Sequence, residues 1–511
     1  MQQPPLTDLS EAAIRTALAW AEQCRSHPET PAAKLLAAAL RHPDGLRFTV
    51  DFVDEVMRPE DPRVAADALG RLAGRPAPFL PVPLRLGMRA VVGTAPLPML
   101  PVVRRTFKAL VGDLVVDVGR SLGPALKRLK AGGASLNVNL LGEAVLGDEH
   151  ARGRLDATMR LLARDDVDYV SIKVSSVLGA HASFAHAETV KAAVQRLRPL
   201  MLLAVKGDKF VNLDMEEYRD LHLTLDVLRR LLTDHELLPL RAGVAVQTYL
   251  RESGLLLDEL DAVAAARVAA GGAPLKVRLV KGANLAMERV HAELRGWANP
   301  VWPTKESTDA SYLRALDKCL TPERTARVQV GVASHNIFTL AMAHELAQSR
   351  GVADAVDFEM LSGMGTPLQK VLLGQGHKLR LYVPVVPRAE YESAISYLVR
   401  RLEENAAPEN FMSGAASLGS DAAFLDRAPD LRVVGRPGIG IDNIVVPDCT
   451  AAGVLVVHTP DAPTESTAEH TVALIFGVAR RLVQADTKLR TQGWAGATRC
   501  VARYSMLRCV S

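Results

Sequence analysis

Four side chains near the end of the middle region have the types and spacing of an anion-binding face. If residues 393–405 (SAISYLVRRLEEN) form a helix, Tyr397, Arg400, Arg401 and Glu404 lie at i, i+3, i+4 and i+7 and share one side. Two adjacent guanidinium groups match a carboxylate or a phosphate. The stretch therefore predicts a clamp for an anionic ligand. The alternative is a solvent-exposed helix in which Arg400 and Glu404 form an ordinary surface pair.

The chain that leads to this stretch alternates short β-rich runs with helical segments. The β-rich runs are residues 135–143, 169–174, 209–215, 243–249, 276–282, 328–336, 355–361 and 379–385. Eight β-then-α units in series favour a parallel sheet, and eight is the number that closes a TIM barrel. We therefore predict an α/β fold with a (β/α)8 TIM-like barrel. The structural alternative is an open doubly wound sheet.

Polar side chains follow nearly every predicted strand, at the rim where barrel enzymes place their active sites. They are Glu143, Lys173, Asp214, Gln247, Arg278, Lys281, His335, Asn336, Glu359 and Tyr382. Each could have a purely structural role, for example a lysine that reaches solvent. A whole ring on one rim favours function, because buried charge is costly unless it is paired or used.

Several chemistries fit this ring. Lys173 and Lys281 leave open a flavin-free lyase or aldolase that forms a Schiff base. Asp214, Glu359 and His335 could surround a metal, but their wide spacing makes this a weak signal, and we predict no metal site. The pattern alone predicts an enzyme that acts on a small carboxylate or phosphate.

Composition excludes other classes of protein. The chain has 511 residues, 48% hydrophobic and 23% charged, with a formal charge of +4, which is too slight to indicate nucleic-acid binding. The odd number of scattered cysteines fits free thiols in a reducing cytoplasm: Cys24, Cys319, Cys449, Cys500 and Cys509. The first residues lack the features of a signal peptide, and the uncharged run at residues 90–103 is too short to span a membrane. We therefore expect a cytoplasmic protein.

Six linked motifs carry a resemblance to a known family. They are SIKVSS (residues 171–176), NLDMEEYRD (212–220), VRLVKGA (277–283), ASHN (333–336), FEMLSGMG (358–365) and YLVRRLEEN (397–405). In this order they resemble the proline dehydrogenase family, in particular the dehydrogenase half of bifunctional proline utilisation flavoproteins. The resemblance covers residues 135–414, and the helical region before it is similar to the arm of those proteins.

The resemblance implies a distorted barrel that holds FAD and oxidises L-proline to 1-pyrroline-5-carboxylate, with electrons passed to a membrane quinone. It implies that Arg400 and Arg401 bind the proline carboxylate and that Glu143 pairs with Arg400. The pocket would be lined by Lys173, Asp214, Leu361, Tyr382 and Tyr397. The FAD would be held by Gln247, Arg278, Val280, Lys281, Gly282, Ala283, Lys305, Ser334, His335 and Asn336, while Glu404 supports the closing helix.

The resemblance also has implications for the electron acceptor, the fate of the product and substrate preference. Quinone as acceptor implies transient contact with the inner face of the membrane, and a separate 1-pyrroline-5-carboxylate dehydrogenase could consume the product. Tyr382 packed on the proline ring would disfavour a hydroxylated ring. The chain departs from the family at Asn284 and Leu285, where many members have aromatic residues near the flavin.

The resemblance divides the chain into four regions. Residues 1–120 form a helical arm with a proline-rich connector between residues 75 and 101, which we expect to be extended. Residues 121–415 form the barrel, residues 416–430 a linker, and residues 431–511 a fragment similar to D-2-hydroxyacid dehydrogenases, especially phosphoglycerate dehydrogenases. Its GIGID segment (438–442) lacks the third glycine of a dinucleotide loop. We expect this truncated fragment to lack activity of its own, so a non-catalytic fusion product is a further alternative.

Overall fold

The computed structural model describes two parts of the chain. The first is residues 6–387, with gaps at 28–33, 36–37, 40–41, 43, 60, 94–95, 112–114, 120–121, 142–146, 180–184 and 216. The second comprises residues 433–436, 449 and 455–458. The chain divides into two compact units, Met1–Gly414 and Ala415–Ser511.

Nine strands lie among the described residues of the first unit. They are β1 (Val116–Asp117), β2 (Ser135–Leu140), β3 (Tyr169–Lys173), β4 (Phe210–Asp214), β5 (Arg241–Gln247), β6 (Leu275–Val280), β7 (Val328–Ala333), β8 (Val356–Leu361) and β9 (Leu379–Val386). Strands β2 to β9 pair in parallel with their neighbours, and β9 pairs with both β8 and β2, so the sheet closes on itself. The predicted (β/α)8 barrel is confirmed, and the open sheet is wrong. The short β1 adds to β9 through Val116 and Val385.

Helices follow the strands around the barrel, after several that precede it. The helices before the barrel are α1 (Leu6–Arg25), α2 (Gly45–Asp51), α3 (Pro62–Ala73), α4 (Val82–Gly93), α5 (Pro96–Val111) and α6 (Leu122–Ala131). Those of the barrel are α7 (Asp148–Leu162), α8 (His186–Lys206), α9 (Leu221–Leu232), α10 (Ser253–Ala269), α11 (Leu285–Arg295), α12 (Lys305–Cys319), α13 (Pro322–Thr325), α14 (Ile337–Ser349) and α15 (Thr366–Gly374).

The strands are buried on both faces, as a barrel inside a ring of helices requires. In β4, Val211 and Leu213 are fully buried and alternate with Asn212, which is also fully buried. In β6, Lys276 and Arg278 alternate with Leu275, Val277 and Leu279. Because side chains alternate across a strand, the apolar set faces the helices and the polar set faces the barrel axis.

The first helix docks on the outside of the barrel. Trp20 on α1 is 2% exposed, and its Nε1 donates to Gln375 Oε1 at 2.7 Å. Thr16 Oγ1 donates to Glu345 Oε1 at 2.6 Å. The Trp20 ring also lies 5.7 and 5.8 Å from the rings of His344 and His377. This arm is therefore anchored by both apolar and polar contacts.

The expectation of an extended connector over residues 75–101 is wrong from residue 82 onward. Residues 82–93 and 96–111 form α4 and α5. Pro83, Pro96 and Pro98 fall in the first turns of these helices, where the backbone N–H groups have no partner inside the helix. Only Pro101 lies deeper, within α5. Proline therefore starts these helices rather than preventing them.

The second unit shows one parallel strand pair among its described residues. Strand β10 (Val433–Arg436) pairs with β11 (Leu455–His458), from Val433 beside Leu455 to Arg436 beside His458. In the part of the chain that the structure describes, no helix combines the length and apolar character needed to cross a bilayer.

Candidate active site

Arg278 lies at the centre of a charged cluster inside the barrel. Its Nη1 is 3.0 Å from Asp214 Oδ1, and its Nε is 2.8 Å from Glu359 Oε2. Its guanidinium carbon lies 4.9 Å from the centre of the Tyr382 ring. The cluster joins β6 to β4, β8 and β9. Three of the polar residues predicted at the rim therefore surround one guanidinium.

Burial and ion pairing oppose each other in this cluster. Arg278 is only 11% exposed, and burial alone would lower its pKa, but the charges of Asp214 and Glu359 outweigh burial and raise it. For Glu359, burial favours the neutral acid, yet Lys276 and Arg278 overcome it and lower its pKa. Both groups are therefore charged at neutral pH.

The pairs continue down the barrel axis. Lys276 Nζ lies 2.6 Å from Glu359 Oε1 and 2.8 Å from Asp357 Oδ2, and Arg380 Nη2 lies 3.0 Å from the same Asp357 oxygen. We call the six alternating charges the ion-pair column: Asp214, Arg278, Glu359, Lys276, Asp357 and Arg380. Three cations and three carboxylates leave it neutral, which reduces the cost of burying it.

Glycine makes room for this column. A side-chain carbon on Gly331 would overlap the Glu359 carboxylate and come within 2.9 Å of Lys276 Cε. At Gly243 it would lie 2.7 Å from Asn212 Oδ1. The Nδ2 of Asn212 in turn donates to Asp214 Oδ1 at 2.8 Å. The missing side chains let the polar groups fit inside a barrel of eight strands.

Two pairs of predicted pocket residues are neighbours across the sheet. Lys173 is in register with Asp214 at the ends of β3 and β4, and Leu361 is in register with Tyr382 on β8 and β9. The Tyr382 hydroxyl accepts a hydrogen bond from Asn139 Nδ2. Lys173 also lines a cavity of about 50 Å³ together with residues of β2, β3 and helix α7. These four residues lie on one rim of the barrel.

Gly282 shapes the loop after β6. Its φ is +119°, and a side-chain carbon there would lie 2.5 Å from the Tyr249 ring. The backbone is held by hydrogen bonds from Tyr249 N to Lys281 O and from Thr248 N to Val280 O, both 2.8 Å. Gly282 and the following Ala283 are exposed. A short stretch of backbone is thus presented at the rim.

Two lysines beside this loop share one carboxylate. Lys281 pairs with Asp309 Oδ1, and Lys305 Nζ lies 3.3 Å from Asp309 Oδ2. Two ammonium groups on one carboxylate leave a positive charge, and all three side chains are partly exposed. This is a suitable partner for a phosphate group.

The ASHN segment has clear structural contacts. Asn336 Oδ1 accepts from the backbone of Phe338 and Thr339 at 3.0 and 3.2 Å and so caps α14. His335 Nε2 accepts from Leu361 N at 3.0 Å, which joins the ends of β7 and β8. Because Nε2 accepts, a neutral His335 carries its proton on Nδ1. Ser334 Oγ accepts from Asn336 N at 3.0 Å.

Glu359 and His335, two residues that could have surrounded a metal, have other partners in the structure. Glu359 faces two cations, and His335 faces a backbone amide. Among the described residues, no three His, Cys, Asp or Glu side chains come together as metal ligands would.

The remaining predicted residues fall into two groups. Gln247 is buried and is in register with Val280 at the ends of β5 and β6. Five predicted residues lie outside the described part of the chain: Glu143, Tyr397, Arg400, Arg401 and Glu404.

The sequence prediction did not include the lower half of the ion-pair column. Lys276, Asp357 and Arg380 lie two positions before Arg278, Glu359 and Tyr382 on their strands. That spacing of two was the available signal, since it places both polar residues of each strand on the barrel axis.

The donor set fits a flavin dinucleotide. Arg278 offers a fixed cation at the rim, Gly282 and Ala283 offer exposed backbone, and the lysine pair at Asp309 offers positive charge for a pyrophosphate. A ring system over β6 and a phosphate near Lys281 and Lys305 would use all of these groups. The residues present therefore match the cofactor that the sequence motifs imply.

Comparison with known proteins divides the chain as the motifs do. The model of the family "Proline dehydrogenase" matches residues 123–414. The model "D-isomer specific 2-hydroxyacid dehydrogenase, catalytic domain" matches residues 400–509. The two matches overlap over residues 400–414.

Individual relatives agree with this division. "Bifunctional protein PutA" of Escherichia coli is 30% identical over 329 residues, which are 60% of this chain and 24% of that protein. The chain thus spans about a quarter of the length of that relative. Among solved structures, the chain is similar to the crystal structure of proline utilization A from Bdellovibrio bacteriovorus inactivated by N-propargylglycine. The two are 26% identical with a TM-score of 0.67, and the match covers 80% of this chain and 42% of the Bdellovibrio bacteriovorus chain.

The second match rests on a shorter region. "Glyoxylate reductase" of Thermofilum pendens is 45% identical over 74 residues, which are 14% of this chain and 22% of that protein. The resemblances to both families seen in the motifs are therefore confirmed.

Proposed function

The chain belongs to the proline dehydrogenase family, and on that premise we propose that it oxidises L-proline to 1-pyrroline-5-carboxylate with bound FAD. The observation that carries the proposal is the Arg278 cluster with Asp214, Glu359 and Tyr382 at one end of the closed barrel. It supplies a fixed cation, a carboxylate and an aromatic face where barrel enzymes hold their substrates.

We assign the substrate pocket to Lys173, Asp214, Leu361 and Tyr382 on the strand ends. Arg400 and Arg401 bind the proline carboxylate, Glu143 pairs with Arg400, and Tyr397 closes over the ring. The carboxylate contact fixes the orientation of the substrate, which lowers the entropy cost of reaching the reactive geometry. Tyr382 against the ring favours proline over its hydroxylated form.

We assign the cofactor site to residues around β6 and β7. Its members are Gln247, Arg278, Val280, Lys281, Gly282, Ala283, Lys305, Ser334, His335 and Asn336, with Glu404 supporting the closing helix. For Asn336 and His335 the contacts to α14 and Leu361 add a structural role. Asn284 and Leu285 leave the edge of this site without the aromatic residues that the family motif leads one to expect.

Bound FAD would supply the two-electron chemistry, with carbon 5 of proline as the hydride donor. Proline loses that hydride and the proton on its nitrogen, so one C=N bond forms and no atom is added. Arg278 stabilises negative charge that arrives at the rim, because its pKa is raised by Asp214 and Glu359 despite burial. The protein's main tasks are orientation and the exclusion of water.

Further parts of the proposal concern the surroundings of the reaction. In the second half of the cycle a quinone accepts the electrons. The protein is cytoplasmic and contacts the inner face of the membrane transiently to reach that quinone. A separate 1-pyrroline-5-carboxylate dehydrogenase consumes the product.

The proposal also assigns the regions of the chain. Residues 1–120 act as an arm around the barrel of residues 121–415. Residues 416–430 link the barrel to the fragment at 431–511, which has no activity of its own.

A dye-reduction assay tests the activity. Purified protein supplied with FAD should show a flavin spectrum, bleach it on addition of L-proline, and reduce a dye in proportion to proline. N-Propargylglycine, which inactivated the Bdellovibrio bacteriovorus protein, should abolish the reaction irreversibly. Protein that takes up no flavin, or flavin that proline does not bleach, contradicts the proposal.

Two comparisons separate the alternatives. Borohydride trapping of a carbonyl substrate, with no flavin bound, would favour the lyase that uses Lys173 or Lys281. A shortened chain that ends at Gly414 should retain the full proline-dependent rate if residues 415–511 take no part in catalysis.

A further inference from the structure

Glu359 links two halves of the ion-pair column. Its side chain is 2% exposed and lies between two cations, with Oε1 2.6 Å from Lys276 Nζ and Oε2 2.8 Å from Arg278 Nε. Gly331 lies against the carboxylate, and because it has no side chain the carboxylate can occupy this position. A charge so enclosed by fixed partners has little freedom to move.

We propose that Glu359 is a positioning residue for the redox reaction: it holds the guanidinium of Arg278 at the rim and sets the net charge that the flavin experiences. This inference rests on the proposed function, because it takes the group above Arg278 to be the flavin. Because its side chain is 2% exposed and enclosed by Lys276 and Arg278, Glu359 acts through Arg278 in this proposal.

Three contacts fix the guanidinium. Glu359 holds the Nε edge, Asp214 holds Nη1 at 3.0 Å, and the Tyr382 ring lies 4.9 Å from the central carbon. Ion pairs from β4 and β8 thus hold the guanidinium of β6 from two different strands. Such support from a second residue is what keeps a functional cation in place.

Charge is the other part of the argument. The six-membered column is neutral, so replacing Glu359 by glutamine leaves one uncompensated positive charge next to Arg278. The interior screens charge weakly compared with water. An additional positive charge below the rim stabilises the reduced, more negative flavin relative to the oxidised one. The midpoint potential of the bound flavin should therefore become more positive.

Asp357 provides a matched control on the same strand. It also pairs with Lys276, at 2.8 Å, and its replacement by asparagine also removes one negative charge from the column. It contacts Arg380 rather than Arg278. Asp357 and Arg380 are 21% and 19% exposed and line a cavity of about 360 Å³ at the opposite end of the barrel. Water can therefore compensate for the lost charge there.

The test measures the flavin potential of three holoproteins, wild type, Glu359→Gln and Asp357→Asn, by equilibration with a reference dye. At a fixed solution potential, Glu359→Gln should raise the ratio of reduced to oxidised flavin about tenfold, which is about 30 mV for a two-electron couple. Asp357→Asn should change it by less than about threefold. An unchanged ratio in Glu359→Gln, or equal changes in both variants, overturns the proposal.

A second variant covers the case in which Glu359→Gln does not fold. Glu359→Asp keeps the charge but is one methylene shorter, so it cannot reach both cations. Because the column stays neutral, the effect of lost charge is absent, and an Arg278 guanidinium that is no longer held at the rim should lower the ratio of reduced to oxidised flavin by about threefold. An unchanged ratio would contradict the positioning role. Wild-type protein that binds no flavin would overturn the proposed function and this inference together. Normal wild-type behaviour with silent Glu359 variants would overturn the inference alone.

Discussion

Gly331 lies against the carboxylate of Glu359, and any side-chain carbon at this glycine would overlap Oε1. The two residues lie on neighbouring strands, β7 and β8, both directed at the barrel axis. The absence of a side chain at one position thus makes space for a buried charge at the next. This relationship connects the backbone of the barrel to the electrostatics of the proposed site.

Gly331→Ala should displace Glu359 and destabilise the protein. The methyl group cannot be accommodated without moving the carboxylate or Lys276, and overpacking of this kind costs about 1–3 kcal/mol. Urea unfolding followed by circular dichroism measures the change. Gly153→Ala is the matched control, because nothing lies within 4 Å of a side-chain carbon there; this helical site should be neutral or slightly stabilised. Equal stability of the two variants would show that the overlap is relieved without cost.

Gly282→Ala should weaken retention of the cofactor. Its φ of +119° is unfavourable for alanine, and the methyl group would lie 2.5 Å from the Tyr249 ring, so the loop at the proposed flavin site must shift. We expect the dissociation constant for FAD to rise at least about tenfold, measured by flavin fluorescence on titration of the apoprotein. Gly374→Ala, where the space is open, should bind FAD like wild type. Unchanged affinity in Gly282→Ala would remove this loop from the cofactor site.

The contact between the arm and the barrel should weaken in acid. Burial, reinforced by His344, lowers the pKa of His377 from 6.5 to about 4, and the two rings lie 4.9 Å apart beside Trp20. Between these two pH values the unfolded chain binds more protons than the folded one, so stability falls as the pH drops from 6.5 toward 4.

Urea midpoints at pH 7.5, 6.5, 5.5 and 4.5 measure this loss. Carboxylates with lowered pKa values also lose stability in acid, so the comparison is with His377→Leu, which lacks the titrating group. The slope between pH 6.5 and 4.5 should be smaller in the variant than in wild type. Parallel curves would exclude His377 as a source of the acid sensitivity.

Arg401→Met should raise the requirement for proline without loss of the flavin. The residue is assigned to the substrate carboxylate, and removal of a charged hydrogen-bond partner costs about 1.5–3 kcal/mol. The KM for proline should therefore rise about tenfold or more, while the flavin spectrum stays normal. Arg71→Met, at an exposed pair with Glu55 on the arm, should leave the KM unchanged. An unaltered KM in Arg401→Met would remove the carboxylate role.

The chemistry of the rim was accessible from sequence only in part. The types and order of Lys173, Asp214, Arg278 and Tyr382 predicted an enzyme site, and the structure brings these strand ends to one rim. The sequence could not predict which acidic residues pair with Arg278. Glu359 is eighty-one positions away, and several other acidic residues lie at similar distances along the chain. Which of them faces the guanidinium depends on barrel register.

The eight β-then-α units and the family were predictable from sequence, since short β-rich runs between helical segments and linked motifs are local properties of the chain. The closure of β9 on β2 and the space that Gly331 leaves for Glu359 follow only from the folded barrel. Residues 82–93 and 96–111 form helices for a local reason, since Pro83, Pro96 and Pro98 fall in first turns, where proline is tolerated. Barrel closure and the fit of Glu359 against Gly331 depend instead on contacts between distant segments, which leave no mark at any one position of the sequence.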